Sequence, residues 1–296
     1  MAKHHDQTIL VIGATGHQGG AALRHLRQSG FALRAFTRDP EKPEAAHLTG
    51  PATEIFRGDL DDQESLRRAL DGVHGVFSVQ DSKQGYETEV RHGRAVADLT
   101  NRARVDHLVY SSVASADRNT GIPHFDSKFQ IENHIRNTGL RYTIIRPVAF
   151  MENFLAMRPS IENGAFSMPL SPQTRLQMIA VDDIGAFAAM AFVRPGHWQN
   201  RVMELAGDDL SMEEIAETLS RVTEKKVSYV PVPWERFEQQ AGKEMTTMFR
   251  WFEREGYHVD IPGVRLERPQ LMRFERWASL NWQPVGTRAS GGGAAS

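Results

Sequence analysis

The 296-residue sequence contains no cysteine, which excludes disulfides, thiolate metal sites, iron–sulfur ligation and cysteine nucleophiles. It also lacks an Asn-x-Ser/Thr sequon and an apolar signal segment after Met1. The longest apolar run, residues 184–193, is about half as long as a bilayer-spanning helix. The 35 basic and 37 acidic residues leave a net charge of −2, so no overall field attracts nucleic acid or anionic lipid. These absences predict a soluble, cytoplasmic protein that binds neither nucleic acid directly nor a membrane.

The first 146 residues alternate short β-branched runs with longer amphipathic segments. The predicted strands are residues 8–12, 32–37, 53–56, 76–79, 107–111 and 142–146. The predicted helices between them are residues 18–28, 63–70, 87–104 and about 125–137. This alternation is typical of an α/β fold with a doubly wound parallel sheet, the Rossmann arrangement.

After Pro147 the pattern is less regular. Residues 163–170 and 175–181 are predicted to be extended, and residues 202–205 to form a seventh strand. The predicted helices are residues 181–193, 211–223, 233–241, 245–255 and 269–280, and Ser211 with Glu214 forms a capping box. We therefore predict a dinucleotide-binding domain over residues 1–150 and about 179–206. A smaller, mostly helical substrate domain would comprise residues 151–178 and 207–285, followed by a flexible tail over 286–296.

A glycine-rich turn follows the first strand and opens the first helix. Gly13 permits a tight turn, Gly16 lets the backbone approach a diphosphate, and Gly19 lets the helix pack closely on the strand. Free N–H groups at the helix start favour an anion. The same seven-residue turn also supplies Thr15, His17 and Gln18 as predicted cofactor contacts. The alternative is a tight turn that binds no ligand.

The end of the second strand predicts which dinucleotide binds. An NAD site places an acidic residue there to hold the ribose 2′-hydroxyl, but this sequence has Thr37 followed by Arg38. The planar guanidinium of Arg38 suits a 2′-phosphate, and Lys42 could add a second charge. NADP(H) is therefore the predicted cofactor. The alternatives are that Arg38 is only solvated, or that Asp39 serves NAD.

Two further strand ends supply candidate contacts. Asp59, after the third strand, can accept a hydrogen bond from the adenine amine, and Leu60 can cover the adenine ring. Gln80 ends the fourth strand, near the expected nicotinamide ribose. Each could equally belong to an ordinary loop.

Several stretches together resemble the NmrA-like family of atypical short-chain dehydrogenases/reductases. These are GATGHQGG, AFTRDPEK, GDLDD, YSSVASA, HFDSKFQIENHIR and RYTIIRPVAFMENF, and they cover about residues 8–157 in order. Within the family the chain most resembles the subgroup that contains the human NmrA-like redox-sensor protein. The resemblance implies NADP(H) binding, with Lys128 at the nicotinamide ribose, Pro147 to Phe150 near the carboxamide and Asn153 in the cleft. It also implies a homodimer formed through helices 87–104 and 125–137.

The resemblance also raises a question about proton transfer. Most short-chain reductases use a Tyr-x-x-x-Lys pair on one helix face, but this sequence has His124 four residues before Lys128. An imidazole can donate a proton, although a neighbouring Lys128 ammonium would disfavour its charged form. Ser111 and Ser112, with Tyr110, could polarise a carbonyl oxygen, and Ser112 is the predicted catalytic serine. The alternative is that His124 only caps the helix or binds a ribose.

Two functions remain open from the sequence. The first is an NADPH-dependent reductase of a small hydrophobic carbonyl, enone or quinone. The second is a non-catalytic NADP(H) sensor that acts through a regulatory protein partner. No metal site is expected, because only His4 and His5 of the 12 histidines lie within five residues of each other.

Overall fold

The computed structural model describes residues 4–282, so the predicted tail over 286–296 lies outside the described residues. The described strands are β1 (Thr8–Val11), β2 (Ala32–Thr37), β3 (Thr53–Arg57), β4 (Gly75–Ser78), β5 (His107–Ser111), β6 (Tyr142–Pro147), β7 (Ala149–Phe150), β8 (Ala165–Phe166), β9 (Arg175–Ile179), β10 (Arg201–Leu205), β11 (Asp208–Ser211) and β12 (Ser228–Tyr229). The described helices are α1 (His17–Gln28), α2 (Gln63–Ala69), α3 (Tyr86–Arg102), α4 (Pro123–Asn137), α5 (Arg158–Glu162), α6 (Val181–Val193), α7 (Pro195–Trp198), α8 (Met212–Thr223), α9 (Trp234–Arg254), α10 (Ile261–Glu267) and α11 (Phe274–Asn281). Short 3-10 turns occupy Pro43–Leu48, Ser82–Gln84 and Met151–Met157.

Seven strands form one sheet in the order β10-β6-β5-β4-β1-β2-β3, and every neighbouring pair is parallel. The chain proceeds from β1 toward β3 on one side and from β4 toward β10 on the other. This confirms the doubly wound sheet and the predicted seventh strand. The order reverses between β1 and β4, and ligands of such sheets bind at the carboxyl ends of the strands beside this reversal.

The two faces of the sheet are covered by different helices. Alternate residues of a strand point to opposite faces. In β1, Ile9 and Val11 belong to one apolar cluster, which also holds α1 and α6, whereas Leu10 packs in a second cluster with α2, α3 and α4. These β1 side chains are fully buried, so the strand that carries the glycine turn is fixed on both sides.

The later chain adds two small sheets and several helices. Strands β7, β9 and β11 form one sheet, and β8 pairs with β12. The predicted capping box is present, since Ser211 Oγ accepts from Glu214 N at 3.1 Å and Glu214 Oε2 accepts from Ser211 N at 2.7 Å. Helix α9 is interrupted at Gly242 (φ +83°), which gives the two helical segments predicted there.

Some predicted boundaries differ from the structure. The helix predicted over 269–280 begins only at Phe274, and α5 and α10 were not predicted. The Asp260 carboxylate caps α10 by accepting from Gly263 N at 3.2 Å. The main apolar cluster contains both Ile9 and Trp282, so the two predicted domains contribute to one core. Within residues 4–282 no helix is long and apolar enough to cross a membrane.

Candidate functional site

A cleft of about 670 Å³ lies at the carboxyl ends of β1, β2, β3 and β4. Twelve of the predicted site residues line it: Gly13, Thr15, Gly16, His17, Gln18, Gly19, Thr37, Arg38, Asp59, Leu60, Gln80 and Phe150. A groove of about 650 Å³ lies elsewhere, against α10, and is lined by Asp208 and Arg273 among others. The cleft at the strand reversal is therefore the place where the predicted contacts meet.

The glycine turn forms one wall of the cleft. Gly13 has φ +76°, and a Cβ there would lie 2.7 Å from Val79 Cγ1. A Cβ on Gly19 would lie 2.2 Å from Gly13 O, so a side chain would separate helix and turn. A Cβ on Gly16 would meet only Gly13 O, at 3.3 Å, among the described atoms. The turn thus needs Gly13 and Gly19 for its own packing, while Gly16 leaves open space beside the backbone.

The start of α1 faces this open space. Within residues 4–282 no side chain caps the helix at Gly16, and no acidic residue occupies its first turn. The first N–H groups of such a helix have no partner within the helix and carry partial positive charge. Gln18 is held in place because Ser111 Oγ donates to its Oε1 at 2.6 Å. The site therefore offers N–H donors suited to an anion.

The end of β2 supplies positive charge to the same cleft. Arg38 and Lys42 are both exposed, and neither has an ion-pair partner in the described part of the chain. The Asp39 carboxylate accepts instead from Glu41 N at 3.1 Å, as in a local turn. Thr37 is buried beside them. This arrangement favours a phosphate over a ribose hydroxyl at the end of β2.

The sequence did not identify His92 of α3, which also lines the cleft. Its Nε2 lies 2.8 Å from Asp61 Oδ1, and Arg91 Nη2 lies 2.6 Å from the same oxygen. These hydrogen bonds lower the pKa of Asp61. His92 therefore ties α3 to the loop that carries Asp59. The lining also contains Asp81, Lys83 and Gln84, which directly follow Gln80 and could have been inferred from that adjacency.

Two buried polar atoms near the strand ends lack protein partners. Gln80 Nε2 donates to Ser78 Oγ at 2.7 Å, but Gln80 Oε1 has no partner within residues 4–282. Ser112 Oγ is buried and likewise unpartnered among these residues. Unsatisfied buried polar groups are uncommon and are often explained by a missing ligand or water. Gln80 lines the cleft, so its Oε1 can serve a bound molecule there, whereas Ser112 is not among the lining residues.

Tyr110 does not belong with these serines. It is fully buried in the cluster that α3 and α4 cover, and burial raises the pKa of its hydroxyl well above 10. It cannot reach a ligand in the cleft, so the suggestion that it polarises a carbonyl is wrong. The reason is strand alternation: Tyr110 and Ser111 point to opposite faces of β5.

Five predicted residues do not line the cleft: Ser112, His124, Lys128, Pro147 and Asn153. Pro147 is buried at the end of β6, and Asn153 is exposed in the 3-10 turn that follows β7. The adjacent Glu152 accepts from Val181 N at 3.0 Å and from Trp277 Nε1 at 3.1 Å, and burial raises its pKa. These bonds fix the segment that carries Asn153 against the later chain.

Lys128 and His124 each contact a carboxylate. The Lys128 ammonium binds Glu89 of α3, whose side chain is 0% exposed, and Ser127 Oγ donates to the same carboxylate at 2.6 Å. His124 Nδ1 donates to Glu244 Oε1 at 2.7 Å. Neither carboxylate was predicted from the sequence. Glu89 is 39 positions from Lys128 along the chain, and Glu244 is 120 positions from His124.

Comparison with known proteins agrees with the fold and the sequence pattern. The family model described as the NmrA-like family matches residues 5–278. The NAD(P)H azoreductase of Xenophilus azovorans is 31% identical over 242 residues, with 81% of each chain covered. The Citrobacter sp. triphenylmethane reductase, solved with NADP(H), superposes with a TM-score of 0.81 at 24% identity, covering 94% of this chain and all of the other.

A regulator has the same fold. NmrA, described as a negative transcriptional regulator, superposes with a TM-score of 0.79 at 22% identity, covering 93% of this chain and 95% of that one. At such identities the two structural matches concern the fold alone. The family match over residues 5–278 and the 31% identical relative decide membership: the chain belongs to the NmrA-like family.

Proposed function

We propose that this chain is an NADPH-dependent reductase that transfers a hydride to a small hydrophobic carbonyl, enone or quinone. The observation that carries the proposal is the single cleft in which the glycine turn, the uncapped start of α1 and the cations Arg38 and Lys42 meet. These groups fit a phosphorylated dinucleotide, since backbone N–H groups suit its diphosphate and a guanidinium suits its 2′-phosphate.

Individual roles follow from the lining of the cleft. Arg38 and Lys42 would hold the 2′-phosphate, Asp59 and Leu60 the adenine, and Gln80 Oε1 the nicotinamide ribose. When bound, the cofactor supplies a hydride. Phe150 lines the cleft from β7, after the sixth strand of the main sheet. Its apolar ring would limit water at the end of the cleft where the acceptor enters.

The class of acceptor depends on the missing tyrosine, since the chain has His124 four residues before Lys128. With His124 at the position of the usual acid, acceptors that demand little of a protein acid are favoured, because water can protonate a quinone- or enone-derived anion. The two reductases named above act, by their names, on azo and triphenylmethane compounds. Those compounds share extended conjugation with quinones and enones, which supports the choice.

The test is consumption of NADPH, followed by its absorbance, with a panel of quinones, enones, an azo dye and a cationic triarylmethane dye. We expect turnover of at least one acceptor and its loss in Lys128→Ala, with Lys225→Ala, an exposed lysine outside the cleft, as the matched control. Calorimetry separates lost chemistry from lost binding. Tight NADPH binding with no turnover of any acceptor would contradict the reductase.

A second candidate is a sensor of NADPH and NADP⁺ that acts through a protein partner. It is favoured by one observation: none of the three predicted catalytic residues, Ser112, His124 and Lys128, lines the cleft, and the last two are bound to carboxylates. A sensor needs only two conformations with different cofactor affinities. Different hydrogen-exchange patterns with NADPH and NADP⁺, together with no turnover, would support it.

We further propose a cytoplasmic homodimer formed through α3 and α4, which pack on each other. This proposal rests on the resemblance to related reductases. Light scattering with cofactor present should give twice the chain mass, and a monomer would contradict it.

A further inference from the structure

His92 of α3 lies nearly buried in the wall of the cleft. Its side chain is 7% exposed, and its Nε2 lies 2.8 Å from Asp61 Oδ1. Arg91 Nη2 lies 3.4 Å from the same nitrogen. Within residues 4–282 the other ring nitrogen, Nδ1, has no hydrogen-bond partner, and solvent still reaches it. A polar atom of this kind in the wall of a cleft is a candidate contact for a bound molecule.

The contacts of Nε2 decide which ring nitrogen of His92 carries the hydrogen. The two groups that approach Nε2 impose opposite requirements, because a carboxylate only accepts and a guanidinium only donates. The carboxylate is nearer, at 2.8 Å against 3.4 Å, so Nε2 carries the hydrogen and donates to Asp61. The hydrogen bonds from His92 and Arg91 lower the pKa of Asp61, which keeps the carboxylate ionised. In the neutral imidazole Nδ1 then retains its lone pair and can only accept.

The partner of His92 locates this acceptor at the end of the cleft proposed for the adenine. Asp61 follows Asp59 and Leu60 after β3, and Asp59 Oδ1 accepts from Asp61 N at 3.1 Å. Strand β3 pairs with β2, which ends beside Arg38, the residue proposed for the 2′-phosphate. In NADPH that phosphate is carried by the ribose of the adenosine half. The base would therefore bind near the loop that His92 holds.

We infer that His92 selects adenine as the base of the cofactor, by accepting a hydrogen bond at Nδ1 from the exocyclic amine. This inference rests on the proposed binding of NADPH but not on hydride transfer. Adenine presents an amine with two N–H donors where hypoxanthine presents a carbonyl oxygen. A lone pair on Nδ1 attracts the amine and repels the oxygen. Because the amine has two hydrogens, Asp59 and His92 can each accept one.

Two cofactors that differ at this edge of the base provide the test. Reduced nicotinamide hypoxanthine dinucleotide phosphate has a carbonyl oxygen in place of the amine. Calorimetric titration at about pH 8.5, where imidazole is ordinarily neutral, should give this analogue a Kd about tenfold higher than that of NADPH. In His92→Gln the ratio of the two Kd values should fall below about threefold, because the glutamine amide reaches the position of Nε2 and leaves no acceptor at that of Nδ1.

Two further variants separate recognition of the base from support of the loop. His92→Asn keeps an amide near the position of Nδ1 but loses the bond to Asp61, so it should retain part of the preference for NADPH. Arg91→Gln is the matched control, because Arg91 donates to the same oxygen of Asp61 at 2.6 Å but is not a lining residue of the cleft in the described part of the chain. It should leave the ratio of the two Kd values unchanged.

A spectroscopic measurement uses the unmodified protein. Nitrogen-15 NMR distinguishes a bare imidazole nitrogen from an N–H, and the signals of His92 can be assigned by their loss in His92→Gln. Without cofactor, Nδ1 should give the signal of a bare nitrogen. Adding NADPH should move that signal toward the N–H range, and adding the hypoxanthine analogue should move it less.

Three results would overturn the inference while leaving NADPH binding intact. The first is equal affinity of the unmodified protein for the two dinucleotides. The second is an equal rise of both Kd values in His92→Gln with their ratio retained, which would identify a structural tether. The third is tighter binding of the hypoxanthine compound, because Nδ1 would then be a donor. If the unmodified protein binds neither dinucleotide, the proposed function fails and the inference fails with it.

Discussion

Arg38 and Asp39 are adjacent at the end of β2, yet their side chains have different surroundings. The Asp39 carboxylate accepts from Glu41 N at 3.1 Å, which occupies it within its own turn. Arg38 lines the cleft and has no ion-pair partner in the described part of the chain. The choice between NADPH and NADH therefore depends on which of these two neighbouring side chains is already bonded within the protein.

Replacing Arg38 by alanine should weaken NADPH binding much more than NADH binding. A hydrogen bond to a charged group is worth about 1.5–3 kcal/mol, so we expect a roughly 10- to 150-fold rise in the Kd of NADPH. The Kd of NADH should change by less than about threefold, because NADH carries no 2′-phosphate and so has no such contact with Arg38 to lose. Calorimetric titration of both cofactors measures the ratio.

Arg94→Ala provides the matched control, since Arg94 is exposed on α3 and lies outside the cleft. It should leave both affinities unchanged. Equal losses for NADPH and NADH in Arg38→Ala would mean that Arg38 does not bind the 2′-phosphate.

Local motifs made part of this site predictable. Gly13, Gly16 and Gly19 could be placed because a turn between a strand and a helix imposes its own spacing, and all three line the cleft. The partners Glu89 and Glu244 could not be placed, because no spacing links a residue of α4 to carboxylates 39 and 120 positions away. Which of Tyr110, Ser111 and Ser112 faces the cleft could not be read from the sequence, because alternation gives the relative sides of neighbouring residues but not the side on which the cleft lies.

Between elements, helices α1 and α6 approach each other closely at Gly185. A Cβ on Gly185 would lie 2.4 Å from the carbonyl carbon of Ala21 and 2.6 Å from its oxygen. The backbone of α1 cannot yield as a side chain could. This close crossing holds the helix that opens the cleft against the sheet.

Gly185→Ala should therefore lower the free energy of unfolding. Overpacking costs about 1–3 kcal/mol, partly offset by the better helix propensity of alanine, about 1 kcal/mol. Urea unfolding measures the change. Gly196→Ala is the control, because a Cβ there meets no described atom within 4 Å, and it should not lower stability. An unchanged midpoint for Gly185→Ala would show that the helices can separate at little cost.

The same helix pair gives stability a pH dependence. His25 Nε2 and Arg24 Nη2 lie 3.0 and 3.2 Å from the Asp182 carboxylate of α6, and the hydrogen bond from His25 lowers the pKa of Asp182 from 3.8 to about 2. A lowered folded-state pKa stabilises the fold above the unfolded value of 3.8, and this contribution disappears as pH falls toward 2.

Asp182→Asn should thus lower the free energy of unfolding near pH 6 by at most about 1 kcal/mol, because the carboxylate is partly exposed. The difference from the unmodified protein should shrink between pH 4 and pH 2. Urea unfolding at several pH values measures it, with the exposed Asp71→Asn as control. A difference that grows on acidification would have the wrong sign for this ion pair.

Element prediction succeeded where the pattern was long. The six strands of residues 8–146 alternate regularly with helical segments, helix α6 carries a continuous apolar run, and the structure confirms them within a few residues. The two-residue strands β7 and β12 were missed because they contain too few residues to display a period of two, whereas β8 lies within the segment 163–170 that was predicted to be extended. Helix α10 was not predicted, because its seven residues are too few to display a helical period and its start is set by the Asp260 cap.

At the scale of the whole molecule, the apolar core ignores the boundary between the two predicted domains. One cluster of buried residues includes Ile9 and Val11 of β1 together with Trp251 of α9 and Trp277 of α11. Residues that share a core lose their burial together. The parts before and after Pro147 should therefore unfold as one unit.

The five tryptophans allow this to be tested, because all of them follow residue 197 and report only on the later chain. The urea midpoint from tryptophan fluorescence should coincide with that from hydrogen exchange in strands β1 to β5. NADPH at 100 times its Kd should add about 2.7 kcal/mol to the free energy of unfolding by mass action. Since the cleft is built mainly from the earlier chain, a matching shift of the tryptophan midpoint would demonstrate coupling between the halves. The alternative outcome is two separate transitions, with NADPH shifting the midpoint from hydrogen exchange in β1 to β5 but not the midpoint from tryptophan fluorescence. That outcome would mean two independently folding domains.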